Sequence, residues 1–146
     1  MLKPLTVTAL LAAGLLALPA ASFAQSADVR VTLTGVEARG GHMVATLSTQ
    51  QTFMVAHGEY TARVQVSEAG EAYLVFTDVA PGTYALMVMH DANDNGQFDM
   101  SPAGMPAEGF AFSSDGAPMM GPPSFDALKF TVASDEVSLT ESMTYF

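Results

Sequence analysis

Apolar and polar residues alternate with a period of two along most of the chain after residue 25. In residues 28–36, for example, Val29, Val31 and Leu33 alternate with polar side chains. This pattern is typical of a β-strand that buries one face and exposes the other. It predicts further strands over residues 42–49, 60–67, 72–79, 83–90, 127–133 and 136–145.

Turn residues between these segments predict how the strands pair. Gly40-Gly41 separates the first two strands, and a glycine pair between two alternating segments predicts a β-hairpin. The last two strands, residues 127–133 and 136–145, are likewise predicted to pair with each other.

The strand over residues 83–90 is apolar on both faces. Tyr84 and Leu86 fall on one face, while Met87 and Met89 fall on the other. Because a strand at the edge or surface of a sheet usually has one polar face, this pattern predicts a central strand that is buried on both sides.

The whole set of elements indicates an all-β protein, with about seven short strands and no convincing amphipathic helix. We expect an antiparallel sandwich of immunoglobulin-like or transthyretin-like shape, and a closed barrel is the alternative. The length of 146 residues suits one domain. No repeat or linker divides residues 25–146.

Residues 91–124 interrupt the alternation and are predicted to form one long loop. Five of the six prolines that follow residue 25 lie in this segment. Loops of this length in compact domains are usually functional or disordered. Phe98, Phe110 and Phe112 supply apolar surface to bury, so we expect a loop packed over one end of the sandwich that serves as the working surface.

The first 24 residues have the features of a cleaved signal peptide. Lys3 precedes an apolar run over residues 5–18, and Pro19 and Ser22-Phe23-Ala24 follow it. The apolar run is shorter than the roughly 20 residues that a membrane-spanning helix needs, so a membrane anchor is the weaker alternative. Cleavage after Ala24 would leave residues 25–146 as a periplasmic or secreted domain with no transmembrane segment.

Charge and composition exclude several classes of function. The chain has 15 acidic and 5 basic residues, and without Lys3 the net charge becomes −11. Such a surface repels phosphate backbones, which argues against nucleic-acid binding. The absence of Cys excludes disulfides, thiolate metal sites and cysteine nucleophiles.

The segment Asp91-Ala92-Asn93-Asp94-Asn95-Gly96-Gln97-Phe98-Asp99 carries the strongest chemical signal. Its spacing resembles the opening of an EF-hand calcium loop, where oxygen ligands recur at alternate positions and glycine permits the turn. The candidate calcium ligands are the side chains of Asp91, Asn93, Asn95 and Asp99 and the backbone carbonyl of Gln97.

The same segment departs from an EF-hand, because Pro102 replaces the twelfth-position glutamate and no helices flank it. The missing ligands would come from Asp94, Glu108 or water. A metal-free turn is the competing interpretation, since Asp, Asn and Gly favour turns without any ion. A transition metal is the third.

Several motifs together resemble a secreted bacterial family known as domain of unknown function 2141. They are Val31-Thr32-Leu33-Thr34-Gly35, Val75-Phe76-Thr77-Asp78-Val79, Pro81-Gly82-Thr83-Tyr84-Ala85, His90-Asp91-Ala92-Asn93-Asp94-Asn95-Gly96, Pro106-Ala107-Glu108-Gly109-Phe110-Ala111-Phe112-Ser113 and Gly121-Pro122-Pro123-Ser124-Phe125. The resemblance covers nearly all of residues 25–146 and implies an exported single-domain β-sandwich. It assigns no catalytic residues.

We therefore expect a non-catalytic module that binds an envelope protein or a small ligand, with Ca²⁺ as its cofactor. One alternative is a small periplasmic hydrolase that uses His90 and the loop acids. The other is a copper-binding protein that uses Met87, Met89 and His90 with Met119 or Met120, because thioethers suit Cu(I).

Overall fold

The computed structural model describes residues 25–55, 57–114 and 122–146. The predicted signal peptide and two of the proposed copper ligands, Met119 and Met120, lie outside the described residues. Within them, no helix is long and apolar enough to cross a membrane.

The described residues form eight strands and one helix of four residues, which confirms the all-β prediction. The elements are β1 (Ala27–Val36), β2 (His42–Ser48), β3 (Tyr60–Gln65), β4 (Gly70–Val79), β5 (Gly82–Asp91), β6 (Gly109–Phe112), α1 (Phe125–Leu128), β7 (Lys129–Val132) and β8 (Val137–Ser142).

The strands form two sheets that pack face to face. The smaller sheet has the order β4-β1-β8, and the larger has the order β3-β2-β5-β6 with β7 also paired to β5. Their inner faces supply a shared core that includes Val31 and Leu33 from β1, Leu47 from β2 and Leu86 from β5, all nearly or fully inaccessible to solvent. The molecule is thus a sandwich, and the barrel alternative is wrong.

The predicted hairpin between the first two strands is wrong. Strand β1 pairs with β4 and β8, whereas β2 pairs with β3 and β5. The turn at Gly40 and Gly41 therefore carries the chain from one sheet to the other. Alternation identifies the buried face of each strand, and both strands do bury that face, but it does not identify the neighbour.

The predicted pairing of the last two strands is also wrong. Strand β7 joins the larger sheet beside β5, and β8 runs parallel to β1 in the smaller sheet. The sandwich is consequently mixed rather than wholly antiparallel. A strand that ends in the opposite sheet from its predecessor leaves no local signature in the sequence.

The long loop predicted over residues 91–124 contains a strand. Strand β6 is only four residues long and pairs with residues 87–90 of β5. Its sequence, Gly-Phe-Ala-Phe, is too short and too uniformly apolar to show alternation, so this strand was missed. It divides the loop into the Asx-rich segment that follows β5 and the proline-rich segment that precedes α1.

Candidate functional site

The Asx-rich segment Asp91 to Asp99, called the acidic loop below, begins at the last residue of β5. The side chain of Asp91 is fully buried beneath the loop. One of its carboxylate oxygens accepts the Asn95 N–H at 3.0 Å and the other accepts the Gly96 N–H at 2.9 Å. Asp91 therefore fixes the turn from below.

The two asparagines continue this turn structure. Asn93 Oδ1 accepts the Asn95 N–H at 3.1 Å, and Asn95 Oδ1 accepts the Gln97 N–H at 2.8 Å. Side-chain oxygens that accept backbone N–H groups two residues ahead are the defining bonds of Asx turns. The alternate spacing seen in the sequence is thus a series of successive turns in space.

The side chains of Asn93, Asn95 and Asp99 meet at one point. The Nδ2 atoms of Asn93 and Asn95 lie 2.8 and 2.9 Å from the same oxygen of Asp99, Oδ2. The structure therefore brings the side chains of three of the five candidate ligands together and places Asp91 below them. The amide nitrogens of Asn93 and Asn95 face Asp99, while their oxygens accept backbone N–H groups. The backbone N–H of Gln97 donates to Asn95 Oδ1, and the backbone carbonyl of Gln97 stays a predicted calcium ligand.

Glu108 lies against the acidic loop from the strand side. Its carboxylate accepts the N–H groups of Ala92 and Asp99 at 3.2 and 3.3 Å, and the residue is buried. Burial raises the pKa of Glu108 and outweighs these two hydrogen bonds, with the nearby charges of Asp91 and Asp99 acting in the same direction as burial. Glu108 is thus placed to supplement the loop ligands.

Asp94, the other supplementary candidate, is bonded elsewhere. Its backbone is left-handed, with φ of 58°, and its Oδ1 lies 2.5 Å from His42 Nδ1 and 3.1 Å from Arg63 Nη2. The His42 hydrogen bond and the Arg63 charge lower the pKa of Asp94. Asp94 therefore fastens the loop to the larger sheet.

No sequence pattern predicts a role for His42 or Arg63. His42 stands opposite Asp91 in the β2–β5 register, and Arg63 reaches the loop from β3. Both are far from the loop in sequence, and only the pairing of the strands brings them near it. No local pattern could have identified them.

The charged groups alone do not make a metal cluster. In residues 25–55, 57–114 and 122–146, no three His, Asp or Glu side chains are grouped so that they could hold a metal ion. Any cation at the acidic loop would have to be bound by amide and backbone oxygens as well as carboxylates. Hard cations such as Ca²⁺ accept such mixed oxygen ligands.

His90 belongs to a buried hydrogen-bond network and not to the loop. Its Nδ1 lies 2.9 Å from the Tyr145 hydroxyl and its Nε2 lies 2.8 Å from the Gly40 carbonyl. The Tyr145 hydroxyl also accepts the Glu37 N–H at 3.2 Å. These partners fit a neutral imidazole in which Nε2 donates to Gly40 and Nδ1 accepts from Tyr145.

Ser113, the residue that follows β6, is likewise occupied. Its hydroxyl donates to the Leu128 carbonyl at 2.6 Å and accepts the Leu86 N–H at 2.9 Å, and the residue is buried. Ser113 therefore joins β5 to α1.

The copper ligands proposed from the sequence do not share a site. Met87 and Met89 lie on the outer face of β5, where they are half-buried. His90 lies on the inner face, with no exposed surface. Side chains that point to opposite faces of one strand cannot bind the same ion.

The two sheets and the single Asx-rich loop define a small β-sandwich module. The chain belongs to the bacterial family described as "Uncharacterized protein conserved in bacteria (DUF2141)", whose model matches residues 31–140. This confirms the family resemblance inferred from the motifs. No match was found for the chain among curated proteins or among solved structures.

Proposed function

We propose that this protein is an exported, non-catalytic module that binds Ca²⁺ at the acidic loop. The observation that carries the proposal is the packing of the Asn93, Asn95 and Asp99 side chains against one another, through hydrogen bonds from both amide Nδ2 atoms to Asp99, above the buried carboxylate of Asp91. Features of residues 1–24 support the export of the chain.

A cation at this point would replace the hydrogen bonds from Asn93 Nδ2 and Asn95 Nδ2 to Asp99 Oδ2, so that side-chain oxygens and not amide nitrogens face the ion. An amide or carboxylate oxygen has two lone pairs, so an oxygen that accepts one N–H can also bind an ion. Asp91, Asn93, Asn95 and Asp99 would supply oxygens of both kinds, and the carbonyl of Gln97, Glu108 or water would complete the six to eight that Ca²⁺ takes.

The environment of His90 supports a non-catalytic role over hydrolysis. A general base must be able to reach the substrate's proton, whereas both ring nitrogens of His90 already have partners in the interior. The serine hydroxyl at position 113 is also bonded on both sides.

Thermal unfolding with and without Ca²⁺ tests the proposal. With Kd of about 10⁻⁴ M, as in extracellular modules, about 1 mM Ca²⁺ adds about 1.4 kcal/mol to the free energy of unfolding. The melting temperature should rise by several degrees relative to a sample with chelator. Coincident melting curves would contradict a calcium site.

Two variants make this test specific to the loop. Asp99→Asn removes a ligand carboxylate without changing its size, so the calcium-dependent rise should shrink or disappear. Asp135→Asn removes the same charge from the exposed turn between β7 and β8, and its rise should equal that of the wild type. If the calcium-dependent rise in melting temperature were reduced equally in both variants, calcium would act only by screening the net negative charge.

A further inference from the structure

The outer face of the larger sheet carries a group of apolar side chains, although Thr46 pairs with Met87 and Arg63 with Val44 in the same register. In the β2–β5–β6 register, Val44 stands beside Met89 and Met89 beside Phe110, while Met87 stands beside Phe112. All five are half-buried. The sequence predicted burial on both sides of β5, and the structure buries only the inner side fully.

Two further aromatic rings extend this surface. Phe98 of the acidic loop and Phe146 pack against Phe110, with ring centroids 6.1 and 5.9 Å from that of Phe110. They are nevertheless 44% and 65% exposed. We call these seven residues, Val44, Met87, Met89, Phe98, Phe110, Phe112 and Phe146, the outer apolar face. Contiguous exposed apolar patches in soluble proteins commonly mark interaction sites.

The geometry of β6 determines how a partner could bind here. The N–H and the carbonyl of Phe110 are both bonded to Thr144, at 3.0 and 2.8 Å. The sheet edge is therefore occupied at this residue, and a partner strand cannot add to it there. A partner would therefore lie on the face of the sheet. The face offers side chains and no free backbone groups, so the partner's own backbone N–H and C=O groups must be hydrogen-bonded within the partner. An α-helix meets this requirement.

The dimensions of the face suit one helix. Three strands at about 4.8 Å spacing make it about 10 Å wide. It covers two positions, or about 7 Å, along β5 and β6 but only Val44 on β2, where Thr46 lies beside Met87. A helix is about 10 Å in diameter and presents apolar residues at i, i+3, i+4 and i+7. Methionine side chains adapt to varied partners because they are unbranched and flexible.

The charge of the molecule selects the partner. Each basic side chain after residue 24 already has an acidic partner, in the pairs Arg30–Glu136, Arg39–Glu37, Arg63–Asp94 and Lys129–Asp126. The remaining acids leave the surface strongly negative. A second copy of the chain or an anionic lipid surface would therefore be repelled, whereas a cationic partner would be attracted.

From these observations we propose that the outer apolar face binds a cationic amphipathic helix of another protein. The apolar side of the helix would cover Met87, Met89 and the phenylalanine rings, and its basic residues would be attracted by the negative net charge of the molecule. This mode of recognition uses a helix laid on a hydrophobic surface. It does not require calcium, because six of the seven residues of the face lie outside the acidic loop and only Phe98 belongs to it.

The test measures the affinity of the purified protein for a labelled synthetic helix of about 18 residues, with leucines on one side and lysines on the other. Fluorescence anisotropy is recorded at about 0.15 M salt, once with Ca²⁺ and once with chelator. A peptide of the same composition in scrambled order and a peptide with glutamate in place of lysine are the controls. We expect saturable binding of the amphipathic cationic peptide in both buffers, and at least about tenfold weaker binding of both controls.

Matched variants locate the binding surface. Phe146→Ser and Met89→Thr should each weaken binding at least about fivefold. Tyr73→Ser should not change it, since Tyr73 is similarly exposed (62%) but lies in β4 of the smaller sheet. Circular dichroism checks that each variant is folded.

Several results would overturn this inference. Equal binding of the scrambled peptide would mean attraction by charge alone. Unchanged affinity in both Phe146→Ser and Met89→Thr would place any binding elsewhere. Self-association that Phe146→Ser abolishes, or binding to anionic vesicles in preference to the peptide, would identify a different occupant. Loss of the calcium response in melting, with peptide binding retained, would contradict only the calcium proposal.

Discussion

Tyr145 links three separate parts of the chain through its side chain. Its hydroxyl bonds to His90 of β5 and to the Glu37 backbone after β1, and the Arg39 guanidinium lies 4.6 Å above its ring centroid. The ring can take this position because residue 109 has no side chain. A Cβ at Gly109 would lie 2.2 Å from a Tyr145 ring carbon.

Gly109→Ala should therefore lower the free energy of unfolding by about 1–3 kcal/mol, because the ring or the strand must move to admit a methyl group. Urea denaturation measures the change. The control is the same substitution in a Tyr145→Ala background, where the ring is absent and the added cost should be near zero. Equal costs in both backgrounds would contradict the steric explanation.

The carboxylate of Glu59 holds the two ends of the connection between β2 and β3 together through hydrogen bonds. Glu59 accepts hydrogen bonds from the Thr49 hydroxyl at 2.8 Å, the Thr52 hydroxyl at 2.6 Å and the Thr49 N–H at 3.0 Å. Burial opposes ionisation of this group, but the hydrogen bonds from Thr52 and Thr49 outweigh it and lower the pKa of Glu59. The carboxylate form therefore stabilises the folded chain.

Glu59→Gln should lower the free energy of unfolding at pH 7 by about 1 kcal/mol, a modest value because the group is largely exposed to solvent. Because folding lowers the pKa of Glu59, its carboxylate stabilises the folded chain at any pH above the pKa that it has in the unfolded chain. This stabilisation is lost as the pH falls through the pKa of the folded chain. The difference from wild type should thus shrink in acid. Urea denaturation across the acidic range measures it.

Glu68→Gln provides the comparison, since Glu68 is an exposed acid in the turn between β3 and β4. It should change stability little at any pH. A Glu59→Gln deficit that stays constant into strong acid would show that the carboxylate charge is not responsible.

At the scale of the whole molecule, the excess of negative charge lowers the stability of the folded state. After residue 24 the sequence holds four basic and fifteen acidic residues, and the four basic ones are already in ion pairs. The remaining acids repel one another through water. Self-repulsion of this kind destabilises a compact state.

Monovalent salt should therefore stabilise the protein. Raising KCl from about 10 to about 150 mM shortens the Debye length from about 30 to about 8 Å, and with chelator present the melting temperature should rise by roughly 2–4 °C. Calorimetry measures the rise. The double variant Glu68→Gln and Asp135→Asn should respond less, and a fall in melting temperature with salt would mean that the ion pairs outweigh the repulsion.

The amino-acid sequence by itself determined the class of fold, the buried inner face of most strands and the position of the acidic loop. Alternation and turn chemistry are local properties, and burial of one strand face follows from them wherever the strand lies. The Asx turns of residues 91–99 are also local, since each bond joins residues a few positions apart. For that reason the segment that holds Asn93, Asn95 and Asp99 could be identified from the sequence, and their role as calcium ligands stays a prediction.

Only the tertiary structure decided which strands are neighbours. Register alone brings His42 and Arg63 to Asp94, joins Tyr145 to His90, places β8 parallel to β1 and lines up Val44, Met89 and Phe110 across three strands. Pairing between distant segments depends on how all inner faces pack into one core, and no short stretch of sequence contains that information.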